Sequence, residues 1–288
     1  MSSQGPSHHL KLVPSQLAGN GGRGRYVLLP GSPGRAKDLA DLFDEVGEEV
    51  ITPRHNDSYL GRLQTAQGEW IDVAAISTGM GPGSTEIIAT ELIMLGCKRM
   101  LRVGTSGSVQ FETVKVGAQV IATGAVRDEV ASQHYVCLEY PAMAHPDLVL
   151  ASEQAAFAMG IQDRTYKGIV HTKGSLYARA AFMGPRGDMH RAYKDELVKA
   201  KVLASEMEAS VLFTVSQTLS ERSPSLAEER AGTGDVVKAG TVLGIIGGED
   251  SWASEEQIGQ IVDETCRLAL ETLRHLHTLD QGLGRAPA

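Results

Sequence analysis

Arg102-Val-Gly-Thr-Ser-Gly107 is the stretch on which the reading of this chain turns. It follows Lys98-Arg-Met-Leu101, and the pattern predicts a strand over 98–104 that ends in a glycine-punctuated turn. Such a turn brings backbone N–H groups close to whatever lies above it. Arg102 adds a planar donor fork suited to phosphate oxygens, and Thr105 and Ser106 add hydroxyls. Two readings stay open on this stretch alone. One is a phosphate pocket at the carboxyl end of a sheet strand; the other is an ordinary strand-to-loop turn with a surface arginine.

On the N-terminal side, residues 1–24 form a polar segment containing His8, His9 and Gly19-Asn-Gly-Gly22. Tyr26–Leu29 then reads as a buried strand that Pro30-Gly-Ser-Pro-Gly-Arg35 ends. A helix follows over Ala36–Phe43, with Ser32 as N-cap and Pro33 at the first helical position. Arg35 at a helix start makes a second anion-binding candidate, since helix N-termini favour anions. Glu49–Thr52 and Asp57–Leu63 have strand character, with Arg54 and His55 between them. Trp70–Ser77 is a strand and Ser84–Leu95 a helix, joined through Gly79-Met-Gly-Pro-Gly83. That spacing is wrong for G-x-G-x-x-G, and basic Arg99 stands where a dinucleotide fold needs an acid, so NAD is rejected.

On the C-terminal side, Val116–Ala122 reads as a strand, Arg127–Pro141 as irregular, Pro146–Met159 as a helix and Thr165–His171 as a strand. Lys173–Gly187 reads as a loop, and a helix follows at about 188–200. Glu206–Leu219 reads as an apolar helix with Glu206 and Glu208 in its first turn, where the helix dipole by itself also favours acids. Ser220–Ala239, rich in Ser, Glu and Gly, reads as an exposed insertion. The strand Thr241–Ile246 ends in Gly247-Gly-Glu-Asp250. Ser254 and Gln257 form a capping-box pattern opening the last helix, in which Ile258, Ile261, Val262, Leu268 and Leu273 fall mostly on one face. The alternation of strands and helices argues for an α/β fold. We expect a single domain over 25–280, with a central mixed, largely parallel twisted sheet flanked by helices. Ligands in such folds sit beyond the carboxyl ends of strands.

Composition sets bounds. Of 288 residues, 42% are hydrophobic and 22% charged, which suits a globular chain with a large core. The net charge of −8 gives no electrostatic reason to expect nucleic acid or membrane as partner, so an anionic substrate needs a local arginine cluster. No apolar run approaches the ~20 residues of a membrane span, and Met1–Gly5 lacks a signal-peptide core. The three cysteines, Cys97, Cys137 and Cys266, fit neither a disulfide framework nor a zinc site and read as buried, reduced thiols in a cytoplasmic protein.

Four stretches together resemble the hexameric nucleoside phosphorylases, most closely the uridine phosphorylases. They are Gly31-Ser-Pro-Gly-Arg35, Ser77-Thr-Gly-Met-Gly-Pro-Gly-Ser84, Leu101-Arg-Val-Gly-Thr-Ser-Gly107 and Ser205-Glu-Met-Glu-Ala209. His9-Leu-Lys-Leu12, Leu138-Glu-Tyr-Pro-Ala142 and Lys173-Gly-Ser-Leu-Tyr177 add to the match, which runs from about residue 9 to 277. The resemblance implies an α/β phosphorylase domain that uses inorganic phosphate as co-substrate and no cofactor. It implies that Gly31, Arg35 and Arg102 hold phosphate with Thr105, and that Met207 and Glu208 bind ribose, Thr105 beside them. Arg102 and Glu208 become the catalytic candidates. Arg54 and His9 match residues that the family donates across a dimer interface, to the neighbour's phosphate and ribose. The implied partner is a second copy of the chain, with dimers assembled as a ring of three.

The chemistry agrees. Phosphate attacking an N-glycosidic carbon must be held in line, which arginines do by position and charge. The oxocarbenium-like sugar needs an anionic or polar partner. The departing base needs a donor, and there the sequence departs from the family. Uridine phosphorylases read uracil with a Gln and an Arg shortly after a Phe-Tyr pair. Here the pair is Leu176-Tyr177, Arg179 falls near the expected Gln, Arg186 is the candidate Arg, and the loop contains no glutamine. Ser106 and Gly107 are further base-side candidates. Purine-specific relatives use an Asp after a late strand; Asp250 lies near that position without the Ser-Asp motif. The alternatives are therefore a purine nucleoside phosphorylase, a nucleosidase using water, or a nucleoside-binding homologue without turnover.

Overall fold

The computed structural model describes residues 7–220, Glu228, 236–248 and 251–282. Most of the expected 220–239 insertion, and Asp250, lie outside the described residues. The centre of the sheet is β5 (Arg99–Ser108), which pairs in parallel with β1 (Tyr26–Pro30) on one side and β10 (Lys238–Gly248) on the other. Beyond β1 come β4 (Trp70–Ile76), β3 (Ser58–Gln64) and β2 (Glu45–Val50). Beyond β10 come β6 (Gln119–Asp128), β8 (Thr165–Lys173) and β9 (Ala204–Glu206), and β9 pairs back onto β5 through Gly107 and Ser205. Strands β5, β10, β6, β8 and β9 thus close a small barrel, from which β1–β4–β3–β2 extends as an open wing. Short strands β7 (Ala142–Met143) and β11 (Ser251–Trp252) pair with β6 and β10. Parallel and antiparallel ladders are both present, so the sheet is mixed.

Strand periodicity decides which helix covers which face. Along β1, Val27 and Leu29 face one core while Tyr26 and Leu28 face the other. The first core lies under α2 (Pro82–Met94) and α6 (Ala209–Thr218), the second under α1 (Pro33–Asp41), α3 (Pro146–Ala158) and α7 (Glu255–Asp280). Each fully buried leucine here contributes roughly 1.5–3 kcal/mol. Helices α4 (Leu176–Ala180) and α5 (Gly187–Lys199) pack together beside the barrel.

The predicted caps form. Ser32 Oγ accepts from the Arg35 N–H at 3.1 Å with Pro33 at the first position of α1, and Ser254 and Gln257 cap α7 reciprocally. His145 caps α3 by accepting the Asp147 N–H on Nδ1 at 3.2 Å. Burial, helped by Lys238, pushes its pKa down to about 4, so the ring stays neutral and keeps that lone pair.

Other expectations are corrected. Strand β5 continues through Ser108, so residues 104–107 are strand rather than turn. Gly104 is needed for a close approach: a Cβ there would lie 3.0 Å from Arg102 Nη2 and 2.7 Å from Leu243 Cδ2. Strand β6 starts later than Val116 and absorbs Arg127, whose buried guanidinium donates to the carbonyls of Val136, Cys137, Leu138 and Tyr140 and so holds the irregular stretch. The 173–187 loop contains α4. Glu206 ends β9 and Glu208 is the N-cap of α6, so neither lies in the first turn of that helix. Residues 238 and 239 belong to β10, not to an insertion. Cys97 and Cys266 are buried, their thiols pushed up to about 12 by burial, whereas Cys137 is exposed.

Candidate active site

A cavity of about 450 Å³ is lined by the carboxyl-terminal parts of β5, β8 and β10, by the β1–α1 turn and by Ser205, Met207 and Glu208. Two arginines stand at one end. Arg102 is buried on β5, where its Nε donates to Glu206 Oε2 at 3.0 Å and its Nη2 pairs with Glu208 Oε2. Its Nη1 has no partner among the described residues. Arg35, in the first turn of α1, donates from Nη1 to the Val103 carbonyl at 3.3 Å and likewise leaves Nε without a partner. Burial pushes the Arg35 guanidinium below its ordinary range, and nearby Arg102 adds to this.

Two carboxylates form the next layer. Glu206 accepts from the N–H groups of Glu208 and Ala209, from the Thr172 hydroxyl and from Arg102. It is filled with donors and fixes Arg102. Burial raises its pKa, Arg102 opposing and Glu208 reinforcing the shift. Glu208 faces the cavity and accepts from the Gly81 N–H at 2.6 Å. Gly79 and Gly81 have φ of 71° and 87°, a region that favours glycine. The 79–83 loop therefore serves to hold a carboxylate.

At the other end, His171 Nε2 meets Asp128 Oδ2 at 3.0 Å and its Nδ1 meets Ser205 Oγ at 3.0 Å. Burial pushes the His171 pKa down, against the pull of Asp128. Arg179 pairs with Asp128, meets His190 Nδ1 at 2.9 Å and lies 4.3 Å above the Tyr193 ring centroid. Lys173 Nζ donates to Ser205 Oγ at 3.0 Å.

The profile of the phosphorylase superfamily matches residues 25–221. The chain belongs to the phosphorylase superfamily. It is 32% identical over 277 residues to a uridine phosphorylase of Treponema pallidum, covering 95% of each chain. It is 33% identical over 218 residues to a uridine phosphorylase of Thermococcus kodakarensis, covering 75% of this chain and 73% of the relative. A guanosine phosphorylase of Halorubrum lacusprofundi is 31% identical over 204 residues, with 71% and 77% covered.

Within this superfamily member the cavity brings together Gly31, Arg35, Arg102, Thr105, Ser106, Gly107, Leu176, Arg179, Met207 and Glu208. It does not bring in Tyr177 or Arg186: both are exposed, and Arg186 Nη2 rests on Met189 Sδ at 3.0 Å. Arg54 is exposed in the turn between β2 and β3, and His9 uses its backbone N–H and Nδ1 on Glu91 of α2. Neither lines this chain's cavity. Sequence reasoning missed Asp128, His171, Lys173 and the Gly81 N–H. The spacing of His171 and Lys173 on one strand face was a readable signal; their partners, 34 and 32 residues away in chain, were not. No group of His, Cys, Asp or Glu among the described residues has the makings of a metal site, and no described helix is long and apolar enough to cross a membrane.

Proposed function

We propose that the protein is a nucleoside phosphorylase, a pentosyltransferase that cleaves the N-glycosidic bond with inorganic phosphate to give free base and (deoxy)ribose 1-phosphate, with uridine favoured. One observation carries the reading. Buried Arg102 and half-buried Arg35 each keep one buried guanidinium nitrogen without a partner among the described residues, at a cavity whose next wall is Glu208. A buried donor left unmade costs about 1–3 kcal/mol, and an anionic acceptor relieves both. Arg35 and Arg102, with Gly31 and Thr105, hold the phosphate dianion in line. Glu208 accepts from ribose hydroxyls as positive charge grows at the sugar carbon, and Met207 packs beside the sugar. Phosphate is co-substrate, and no resident cofactor is needed for these steps.

The uridine phosphorylases among the relatives support uridine. The missing loop glutamine, together with the guanosine phosphorylase relative, supports a purine nucleoside as the second reading. Base release from uridine and inosine, with and without phosphate, tests the proposal. Phosphate-dependent release from uridine is expected; release in water alone would make the protein a nucleosidase, and none at all a binding homologue.

Two chains build each site in this reading. That Arg54 is exposed and that neither it nor His9 lines this chain's own cavity supports a role for both at a neighbour's site, in a two-fold dimer and a ring of three such dimers. Mixing an Arg54→Ala chain with a Glu208→Gln chain tests it: a mixed dimer has one site with both defects and one with neither. Activity should reappear on mixing and refolding. No recovery in verified mixed dimers would mean that Arg54 serves its own chain's site or none.

A further inference from the structure

We infer that Lys173 is the donor to the departing base, taking the place of the uracil-reading pair that this chain lacks. The inference rests on the phosphorylase reading and adds a catalytic group to it.

The departing base needs a donor at the cavity end away from Arg35 and Arg102. Arg179 is there, held by Asp128 and His190 and stacked on Tyr193, but a guanidinium does not give up its proton, so it can donate a hydrogen bond to the base and not protonate it. Both nitrogens of His171 are committed to Asp128 and Ser205. Arg186 lies outside the cavity. Lys173 lines the cavity, is 5% exposed and makes no ion pair among the described residues. Its Nζ donates to Ser205 Oγ at 3.0 Å and to the Glu206 carbonyl at 3.4 Å. An ammonium has three donors, so one remains. Ser205 Oγ also meets His171, which meets Asp128, so Lys173 sits where the Ser205–Glu206 stretch adjoins the Asp128–His171 pair. Burial pushes its pKa down, opposed by Glu206 and Glu208. That direction makes the ammonium a stronger acid. Ser106 Oγ and Ser108 Oγ, buried at the same cavity with no partner among the described residues, complete its polar lining.

The step balances. A phosphate oxygen forms a bond to the sugar carbon as the bond from that carbon to the base nitrogen breaks. The electron pair of the broken bond stays with the base. Lys173 delivers a proton to a carbonyl oxygen or ring nitrogen of the base. The nucleophile, entering as a hydrogen phosphate dianion, releases its proton on becoming an ester dianion. The lysine regains one from solvent, so no proton is consumed overall.

The test compares leaving groups. Phosphorolysis of uridine and 5-fluorouridine, or of inosine and 7-methylinosine if the purine is the substrate, is measured for wild type and Lys173→Met. The fluorinated and methylated bases leave with less need of a proton. A positioned acid contributes typically 10²–10⁴-fold. Uridine turnover should therefore fall about 100-fold or more, and 5-fluorouridine turnover at least about fivefold less than that. Lys173→Gln, which can still donate to Ser205 Oγ, is the second variant should methionine disturb the barrel. Equal losses on both leaving groups, or no loss on either, would overturn the role of Lys173 while leaving the phosphorylase reading intact. Wild-type protein without phosphate-dependent base release sinks the parent reading, and Lys173 with it, before any variant is compared.

Discussion

Strand β5 carries two buried arginines, and they lead different lives. Arg99 donates from Nε and Nη2 to Asp280 at 2.8 and 3.2 Å and from Nη1 to the carbonyls of Lys98 and Val236. Asp280 also accepts from Lys238 and from the Tyr26 hydroxyl. Burial alone would raise the Asp280 carboxyl, but Arg99 and Lys238 outweigh it and hold it well below the usual range. Burial and Asp280 push the Tyr26 phenol well above its own. Three positions along the strand, Arg102 has two carboxylates and an idle Nη1 over a cavity. A closed buried network ties the end of α7 to the sheet and offers a ligand nothing. An open one is costly until an acceptor arrives. Charge and burial are alike at the two positions; completeness of hydrogen bonding separates them.

The strongest way to break this comparison is Arg99→Ala. Removing one partner of a buried ion network costs about 3–5 kcal/mol. Urea denaturation should show that loss, while turnover per folded molecule stays at the wild-type level. A tenfold fall in that turnover would erase the distinction between staple and site. Arg102→Ala is the converse. It should lose ~2–4 kcal/mol of transition-state stabilisation, seen in kcat/KM with phosphate varied; unchanged phosphorolysis would remove Arg102 from the site.

The cap at His145 sharpens the comparison from the staple side, where Lys238, Asp147, Arg99 and Asp280 surround the ring. Its folded pKa, about 4, lies below the unfolded value of 6.5. The unfolded chain therefore binds the extra proton between those values, and stability is lost as pH falls through that window. Up to about 3 kcal/mol is at stake, with His171 and His277 shifted in the same direction. Unfolding free energy measured from pH 7 to 4 should decline less in His145→Gln than in wild type; equal slopes would mean that the neutral cap is not the cause. Glu208→Gln comes last. Losing a charged acceptor for the sugar should cost about 1.5–3 kcal/mol in turnover. Glu208 also pairs with buried Arg102 and accepts the Gly81 N–H, so melting of the same sample should fall as well and the kinetic loss is read per folded molecule. A large shift in melting with near-normal kinetics would make Glu208 part of the scaffold.

Much of the scaffold was legible because its signals are local. Ser32 and Pro33 start α1, Ser254 and Gln257 start α7, and apolar runs mark β1, β4 and β5 within a residue or two except where β5 runs on. The carboxyl ends of strands pointed to Gly31/Arg35, Arg102–Gly107 and Gly247–Asp250, of which Arg35, Arg102 and Gly248 meet at one cavity while Asp250 lies outside the described residues; the 205–209 stretch came from the family resemblance. The base end was not legible. Asp128 and Arg179 are 51 residues apart, and no local pattern announces their pairing.

What the sequence alone determined is the alternation of strands and helices, the caps and the glycine-flanked arginines, because propensity, periodicity and capping act over a few residues. What only the tertiary structure decided is how each of those residues is used. Gly104 reads as a turn, yet it sits in extended strand, because the Arg102 guanidinium and Leu243 fill the space a Cβ would take. Glu206 and Glu208 read as equivalent acids of one helix turn, yet one is saturated with donors and the other faces the cavity. Glycine serves both positive φ and close approach, and a carboxylate serves both scaffold and ligand. The choice lies with the neighbours, and strand pairing and barrel closure bring those from a hundred residues away.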